Sequence, residues 1–337
     1  MKNIQITSQG IRRALRKYEY PRSIAEYVWN GFDAQASEVS IEVEANVIGN
    51  ISQIVIRDNG YGVLEADKFQ PFFESEKEIN PDQARTSSTT HGKNGVGRLT
   101  FFTFAESATW NTVYEKKSKL YEQTITVKSH SLDKFSASKP NLTSKRAGTT
   151  VTFDGIHTVT RQNFESDIRL FLCKEFAWFL ELNLLKDFSL KIDGIPLNYN
   201  SVIVGDKEEF ELTIEDYLFE IKFARWIESL NREYSRYYFM DSENLEKYTS
   251  TTTLNNKGDK FFHSIYIKSH FFDTKFVPFF EGTLAKFSED GKVYGELMSQ
   301  IDAFLRQKRR PFLRDASEKI VEQFEKSHAF PNFKNNT

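Results

Sequence analysis

Residues 22–34 read RSIAEYVWNGFDA, and how this stretch coils decides the fold of the chain beyond it. Pro21 stands just ahead of it. A first helical turn suits proline, because the missing N–H costs nothing there and the fixed φ is already helical. On such a helix Glu26, Asn30 and Asp33 fall at i, i+4 and i+7 and share one face. Ile24, Val28 and Trp29 fall on the other faces and are expected to pack inward. A carboxylate, an amide and a second carboxylate in one row make poor core material, since burying them unpaired is costly. The row is therefore either a solvated stripe or the wall of a site.

Outward from that helix, 337 residues suffice for two domains with real cores. Hydrophobic residues at 39% and charged residues at 27% describe a globular chain rather than a disordered one. Lys+Arg 45 against Asp+Glu 47 leaves a net charge of -2, so no global pull toward nucleic acid exists. The single cysteine, Cys173, cannot form an internal disulfide and suits a reducing compartment. It sits in the apolar run Leu170–Cys173, where a buried structural thiol is expected. The start, MKNIQITSQGIRRAL, has no apolar targeting stretch, and no run approaches 18 apolar residues. A soluble, cytoplasmic protein without a membrane partner is expected.

The pattern predicts helices over 8–18 and 21–35. A hairpin over 39–47 and 51–57 turns at Gly49-Asn50. The second strand ends in Asp58-Asn59-Gly60-Tyr61-Gly62. A short helix over 65–73 leads into a polar, Ser/Thr-rich lid at about 76–94. Gly95-Val96-Gly97 opens a helix to about Ala105. Strands follow near 107–115, 120–128 and 148–154, then a helix over 161–182 and a strand and turn at 188–196. The pattern shifts near 200, which sets the expected domains at 1–200 and 201–337. The second has strands over 210–226, 234–240 and 261–267, and helices over 293–307 and 311–327.

Four pieces carry the chemistry, in order: Glu26-x3-Asn30-x2-Asp33-Ala34; Asp58-x-Gly60-x-Gly62; Gly92-x2-Gly95-x-Gly97; and Gly148-Thr149. Each alone also fits an ordinary turn or loop. The third is neither a phosphate loop ending in GK[ST] nor a dinucleotide fingerprint following a strand. Together, over some 120 residues, the set resembles the GHKL superfamily: gyrase B subunits, ninety-kilodalton heat-shock chaperones, histidine kinases, MutL and MORC proteins. The resemblance covers about residues 15–195.

It implies an α+β fold, with a Bergerat-type ATP-binding α/β sandwich whose mixed sheet carries helices on one face. A β-rich transducer-like domain with C-terminal helices would follow. It also implies ATP and Mg²⁺ as ligands. Mg²⁺ takes hard oxygen ligands in octahedral geometry, and the Asn30 carbonyl supplies one without adding negative charge. Glu26, one turn earlier, is placed to take the proton of the water attacking the γ-phosphate. Asp58 accepts from the adenine amino group, and Gly60 and Gly62 let the backbone approach the base. Asp33 lies on the same wall, and Thr149 is implied to support the adenine contact. Backbone N–H groups over Gly92–Gly97, with Lys93, Asn94, Gly95, Val96 and Arg98, would wrap the phosphates; for Lys93 and Arg98 a solvated loop cation fits equally.

Histidine kinases lack a hydrolytic Glu at this place, and they carry a phospho-accepting His ahead of the ATP domain. Here no His precedes His91, so the hydrolysing branch is favoured. The run GTTVTFDGI…FSLKIDGIPL and Ser75-x-Lys77 look most like MutL and MORC. In that branch the transducer contributes a cation to the γ-phosphate. Lys257 is the candidate, with Lys260, Lys268 and Lys275 competing and a plain turn lysine fitting as well. The cluster Arg306, Lys308, Arg309, Arg310 and Arg314 fits a solvated helix junction better than a nucleic-acid contact. Longer relatives carry a further domain, so a fragment is one reading of this chain. The expected behaviour is slow ATP hydrolysis driving lid closure and nucleotide-linked homodimerisation, acting on a protein or nucleic-acid partner. A non-hydrolysing ATP/ADP sensor and a chaperone-like adaptor are the alternatives.

Overall fold

The computed structural model describes residues 7–64, 97–230, 235–254, 260–275 and 287–326. The chain divides into two compact units, Met1–Ser201 and Val202–Thr337. Each is built on its own mixed sheet with helices, an α+β arrangement as the sequence predicts.

The first unit opens with helices α1 (Ser8–Ala14) and α2 (Tyr20–Asp33). The strands are β1 (Glu38–Ala45), β2 (Ile51–Asp58), β3 (Ser107–Lys116), β4 (Lys119–Lys128), β5 (Ser131–Ala137), β6 (Asn141–Leu142), β7 (Gly148–Asp154), β8 (Ser189–Ile192) and β9 (Ile195–Pro196). They form a nine-stranded sheet in the order β5-β4-β3-β7-β2-β1-β8-β9, with β6 beside β4. Every pairing is antiparallel except β1 with β8. A helical passage returns the chain from β7 to β8 on the far side of β2 and β1, ending in α3 (Arg169–Leu182). Thr160 and Asn163 cap its start reciprocally.

The burial of α2 positions the site. Ser23, Ile24, Ala25, Tyr27, Val28, Trp29, Gly31 and Phe32 are all buried. On one side Tyr27 packs edge-on against Phe153 of β7 at 4.7 Å. On another, Trp29 and Phe32 meet Phe176 and Phe179 of α3 at 4.5 and 4.8 Å. The Trp29 indole N–H donates to the buried Glu175 carboxylate at 2.8 Å. Such aromatic contacts contribute about 0.5–1.5 kcal/mol each beyond area burial, so α2 is clamped in one orientation. Cys173 is buried as expected, its Sγ 3.4 Å from the Asn198 carbonyl, and burial pushes its thiol pKa up.

The second unit carries β10 (Glu208–Ile214), β11 (Tyr217–Arg225), β12 (Arg236–Met240), β13 (Glu246–Thr251) and β14 (His263–Lys268), ordered β10-β11-β14-β12-β13. Helix α4 (Glu289–Lys326) lays Val293, Tyr294, Leu297, Ile301 and Leu305 into this unit's core with Phe219, Phe223 and Ile265.

The structure departs from several sequence expectations. The first helix stops at Ala14 rather than 18, and the segment after Gly97 is a 3₁₀ helix to Thr103. The strand expected over 210–226 is a hairpin folded at Glu215-Asp216, with Glu215 at φ 50. β5, β6 and β13 have no counterpart in the sequence pattern, because β5 and β6 are mostly exposed and β13 is half-buried along nearly its whole length, which leaves no alternation. The two closing helices are one, with Pro311 inside it. Phe304 and Phe312 pack on the same core from either side of Pro311. That anchoring offsets the lost backbone bond and the ring clash, a cost of about 3 kcal/mol. The expected 65–73 helix and the 76–94 lid lie outside the described residues. No helix among the described residues is long and apolar enough to cross a membrane.

Candidate functional site

Because α2 is buried on every other side, its part-exposed residues beyond the first turn are Glu26, Asn30 and Asp33. The polar row is therefore the helix's open face. At its upper end the Arg22 guanidinium lies 4.0 Å from Glu26 Oε1, and Arg22 stacks over Tyr18 at 4.9 Å. The Glu26 side chain is 15% exposed, reachable without being solvated on all sides. Gly97 abuts it: a Cβ there would stand 2.6 Å from Glu26 Oε2. The last glycine of the third motif and the carboxylate of the first are thus in contact across 71 positions of sequence.

Lower on the same helix, Gly31 faces the end of β2. A Cβ on Gly31 would stand 2.8 Å from Val39 Cγ2 and 3.0 Å from Asp58 Cβ. Asp58 is held by two backbone donors: Gly60 N–H at 2.9 Å and Thr149 N–H at 3.2 Å both reach Oδ1. Asp58 and Thr149 are register partners of β2 and β7. Burial nonetheless dominates and lifts the carboxyl pKa to about 6, the two N–H donors pulling the other way.

The turn after Asp58 is tied to the end of α2. Tyr61 N–H donates to the Ala34 carbonyl at 3.0 Å, and Gly60 lies so close to Ala34 that a Cβ would meet its oxygen at 2.5 Å. Gly62 needs its φ of 79, and a Cβ there would strike the Val113 carbonyl at 2.2 Å. Val63 N–H donates to Thr112 Oγ1 at 2.7 Å, and Thr112 lies 3.3 Å from Thr149 Oγ1.

Of the sequence candidates, Glu26, Asn30 and Asp33 lie along α2, Asp58, Gly60, Gly62 and Thr149 at the ends of β2 and β7, and Gly97 at the start of the 3₁₀ helix, against Glu26. Lys93, Asn94, Gly95, Val96 and Lys257 lie outside the described residues. Arg98 is described: burial lowers its pKa to about 10, and its backbone carbonyl accepts the Tyr27 hydroxyl at 2.7 Å. In the second unit Lys268 is 3.7 Å from Glu220, and Lys275 is 2.5 Å from Asp290. Lys308 pairs with Glu208, and Arg314 with Glu318 at 3.9 Å. Gly31 and Thr112 are site residues outside the sequence candidates. The first is a glycine inside a helix, a standing sign of close packing; the second gives no sequence signal.

The donor set fits a purine nucleotide with a divalent cation. Gly60 and Gly62 hold the turn after Asp58 close against Ala34 and Val113, an acceptor carboxylate sits at its base, and an amide and carboxylate line the wall. Residues 18–158 match a family model described as histidine kinase-, DNA gyrase B-, and HSP90-like ATPase. That segment spans α2 through β7 and places this part of the chain in the GHKL ATPase superfamily, whose members bind ATP. No curated protein matches the chain.

Proposed function

We propose that the chain is a Mg²⁺-dependent ATPase whose first unit binds ATP and hydrolyses it slowly. The observation that carries this reading is the contact of Gly97 with Glu26 in the same wall that holds Asn30 and leads to Asp58. Asp58 accepts the adenine amino group, while Gly60 and Gly62 let the turn that carries it close against Ala34 and Val113. Asn30 supplies a carbonyl ligand to the cation, which neutralises charge on the phosphate oxygens when bound. Glu26 takes the proton of the attacking water. Glu26 abuts Gly97, and on this reading the preceding Lys93, Asn94, Gly95 and Val96 wrap the phosphates. Asp33 closes the wall toward the base, with Thr149 behind it.

On this reading residues 76–94 close over the nucleotide. Ordering them costs about 1–2 kcal/mol of backbone entropy per residue, more than triphosphate contacts offset. A second copy or the second unit, acting as a MutL- or MORC-like transducer with Lys257 as its γ-phosphate cation, supplies the balance. Lid closure and homodimerisation are then one event.

The test is turnover and calorimetry on Glu26→Ala. Positioned general bases contribute on the order of 10²–10⁴-fold, so the variant should lose nearly all hydrolysis yet bind ATP as the parent does. Hydrolysis at the parental rate removes Glu26 from the role.

A further inference from the structure

Thr112 belongs to none of the four sequence motifs, yet it joins two of them. It sits in the middle of β3, 1% exposed, and is the register partner of Thr149 on β7, which is itself the partner of Asp58 on β2. Three polar side chains thus stand in one row across neighbouring strands, on a sheet face otherwise filled by residues such as Trp110, Val151 and Phe153.

The hydrogen bonds of that row have a direction. Val63 N–H can only donate, so Thr112 Oγ1 is its acceptor at 2.7 Å. The hydroxyl hydrogen of Thr112 must go elsewhere, and among the described residues Thr149 Oγ1 at 3.3 Å is the oxygen paired with it. The reverse arrangement would have Thr112 accept twice and leave its own buried O–H without an acceptor. Leaving such a donor unmade costs about 1–3 kcal/mol. Thr112 therefore donates to Thr149, and the Thr149 hydrogen is released to point at a ligand. Beside it, Asp58 presents only acceptors when ionised.

We propose that Thr112 is a specificity-determining residue of the nucleotide site, fixing the Thr149 hydroxyl as a donor next to the acceptor carboxylate of Asp58. Donor beside acceptor complements adenine, whose ring N1 accepts and whose 6-amino group donates. Hypoxanthine and guanine present the opposite edge, a 6-keto acceptor beside an N1–H donor, and meet like against like on both contacts. Thr112 itself touches no base; it acts through Thr149. The inference rests on reading this site as an adenine-nucleotide site.

The experiment compares ATP with 1-deaza-ATP, in which ring N1 is a C–H, by calorimetry on the full chain. The parent should prefer ATP by roughly three- to tenfold, the worth of one net hydrogen bond. Thr112→Val should bring that preference close to one, and Thr112→Ala, which adds no new methyl, should do the same. Thr112→Ser, which keeps the hydroxyl, should retain it. If Thr112→Val and Thr112→Ala weaken both nucleotides equally, Thr112 only braces the Val63 turn and the inference fails. A parent that binds both nucleotides equally has no N1 contact, which overturns the inference and leaves adenine binding standing. A parent that binds neither overturns the reading of the site as well.

Discussion

Asp58 is under two opposed demands. Ionised, it can accept from a ligand amino group; buried, its carboxyl is lifted to about 6. A raised carboxyl contributes stability below about pH 4 that is lost as pH rises through about 6. At pH 7.5 the ionised form therefore costs the ligand-free fold up to roughly 3 kcal/mol. Asp58→Asn keeps an oxygen for the Gly60 and Thr149 N–H groups while removing the charge. It should melt several degrees above the parent at pH 7.5, with the gap closed by pH 4, and it should bind ATP more weakly. Melting curves at both pH values check this, and a variant less stable at pH 7.5 contradicts it. Gly31, buried in α2, and Gly97, packed against Glu26, differ in the same spirit. Gly31→Ala meets Val39 and the Asp58 Cβ, neither of which can swing away, so stability should fall by about 1–3 kcal/mol. Gly97→Ala meets the movable end of Glu26, so the fold should hold while turnover drops. Equal losses of stability in both would show that Glu26 cannot yield.

At the scale of elements, α2 works because it is buried everywhere except along one row. Its aromatic faces lock the helix between β7 and α3, and the register of Glu26, Asn30 and Asp33 follows from that lock. Helix α4 shows the converse, where side-chain packing overrides a local breaker. Pro311 interrupts the hydrogen-bond ladder of a helix held on both sides by Phe304 and Phe312. Pro311→Ala should restore that bond and stabilise the second unit by up to about 3 kcal/mol. Circular dichroism during a melt measures it, and an unchanged transition would mean that the ladder gains nothing from the restored N–H.

At the scale of the molecule, two units with separate sheets can melt in separate steps. Ligand that binds only the folded first unit raises its stability by about 2.7 kcal/mol at a hundredfold excess over Kd. Calorimetric scans with a non-hydrolysable ATP analogue and Mg²⁺ should shift the first unit's transition by that order. Size measurement alongside should show a dimer if closure and pairing are coupled. A shifted transition in a protein that stays monomeric would confine the switch to one chain.

The sequence by itself determined the polar row of α2 and the order of the glycine motifs, which rest on local periodicity and turn chemistry, and, through the resemblance those motifs carry, the α+β character. It also placed Asp58 at a strand end, and Ile24, Val28 and Trp29 inward, where each is buried. It did not show β5 and β6, which are mostly exposed, or β13, which is half-buried nearly throughout, so that none carries an alternation. Nor did it show the fold at Glu215-Asp216, which lacks the Asn-Gly or Asp-Gly pair that marks a tight hairpin. Only the tertiary structure set Gly31 against Asp58, Gly97 against Glu26 and Thr112 between Val63 and Thr149. The physical reason is the same in each case. These contacts join residues 27 to 71 positions apart, and a sheet register or a helix clamp, which no local pattern encodes, brings them within bonding distance.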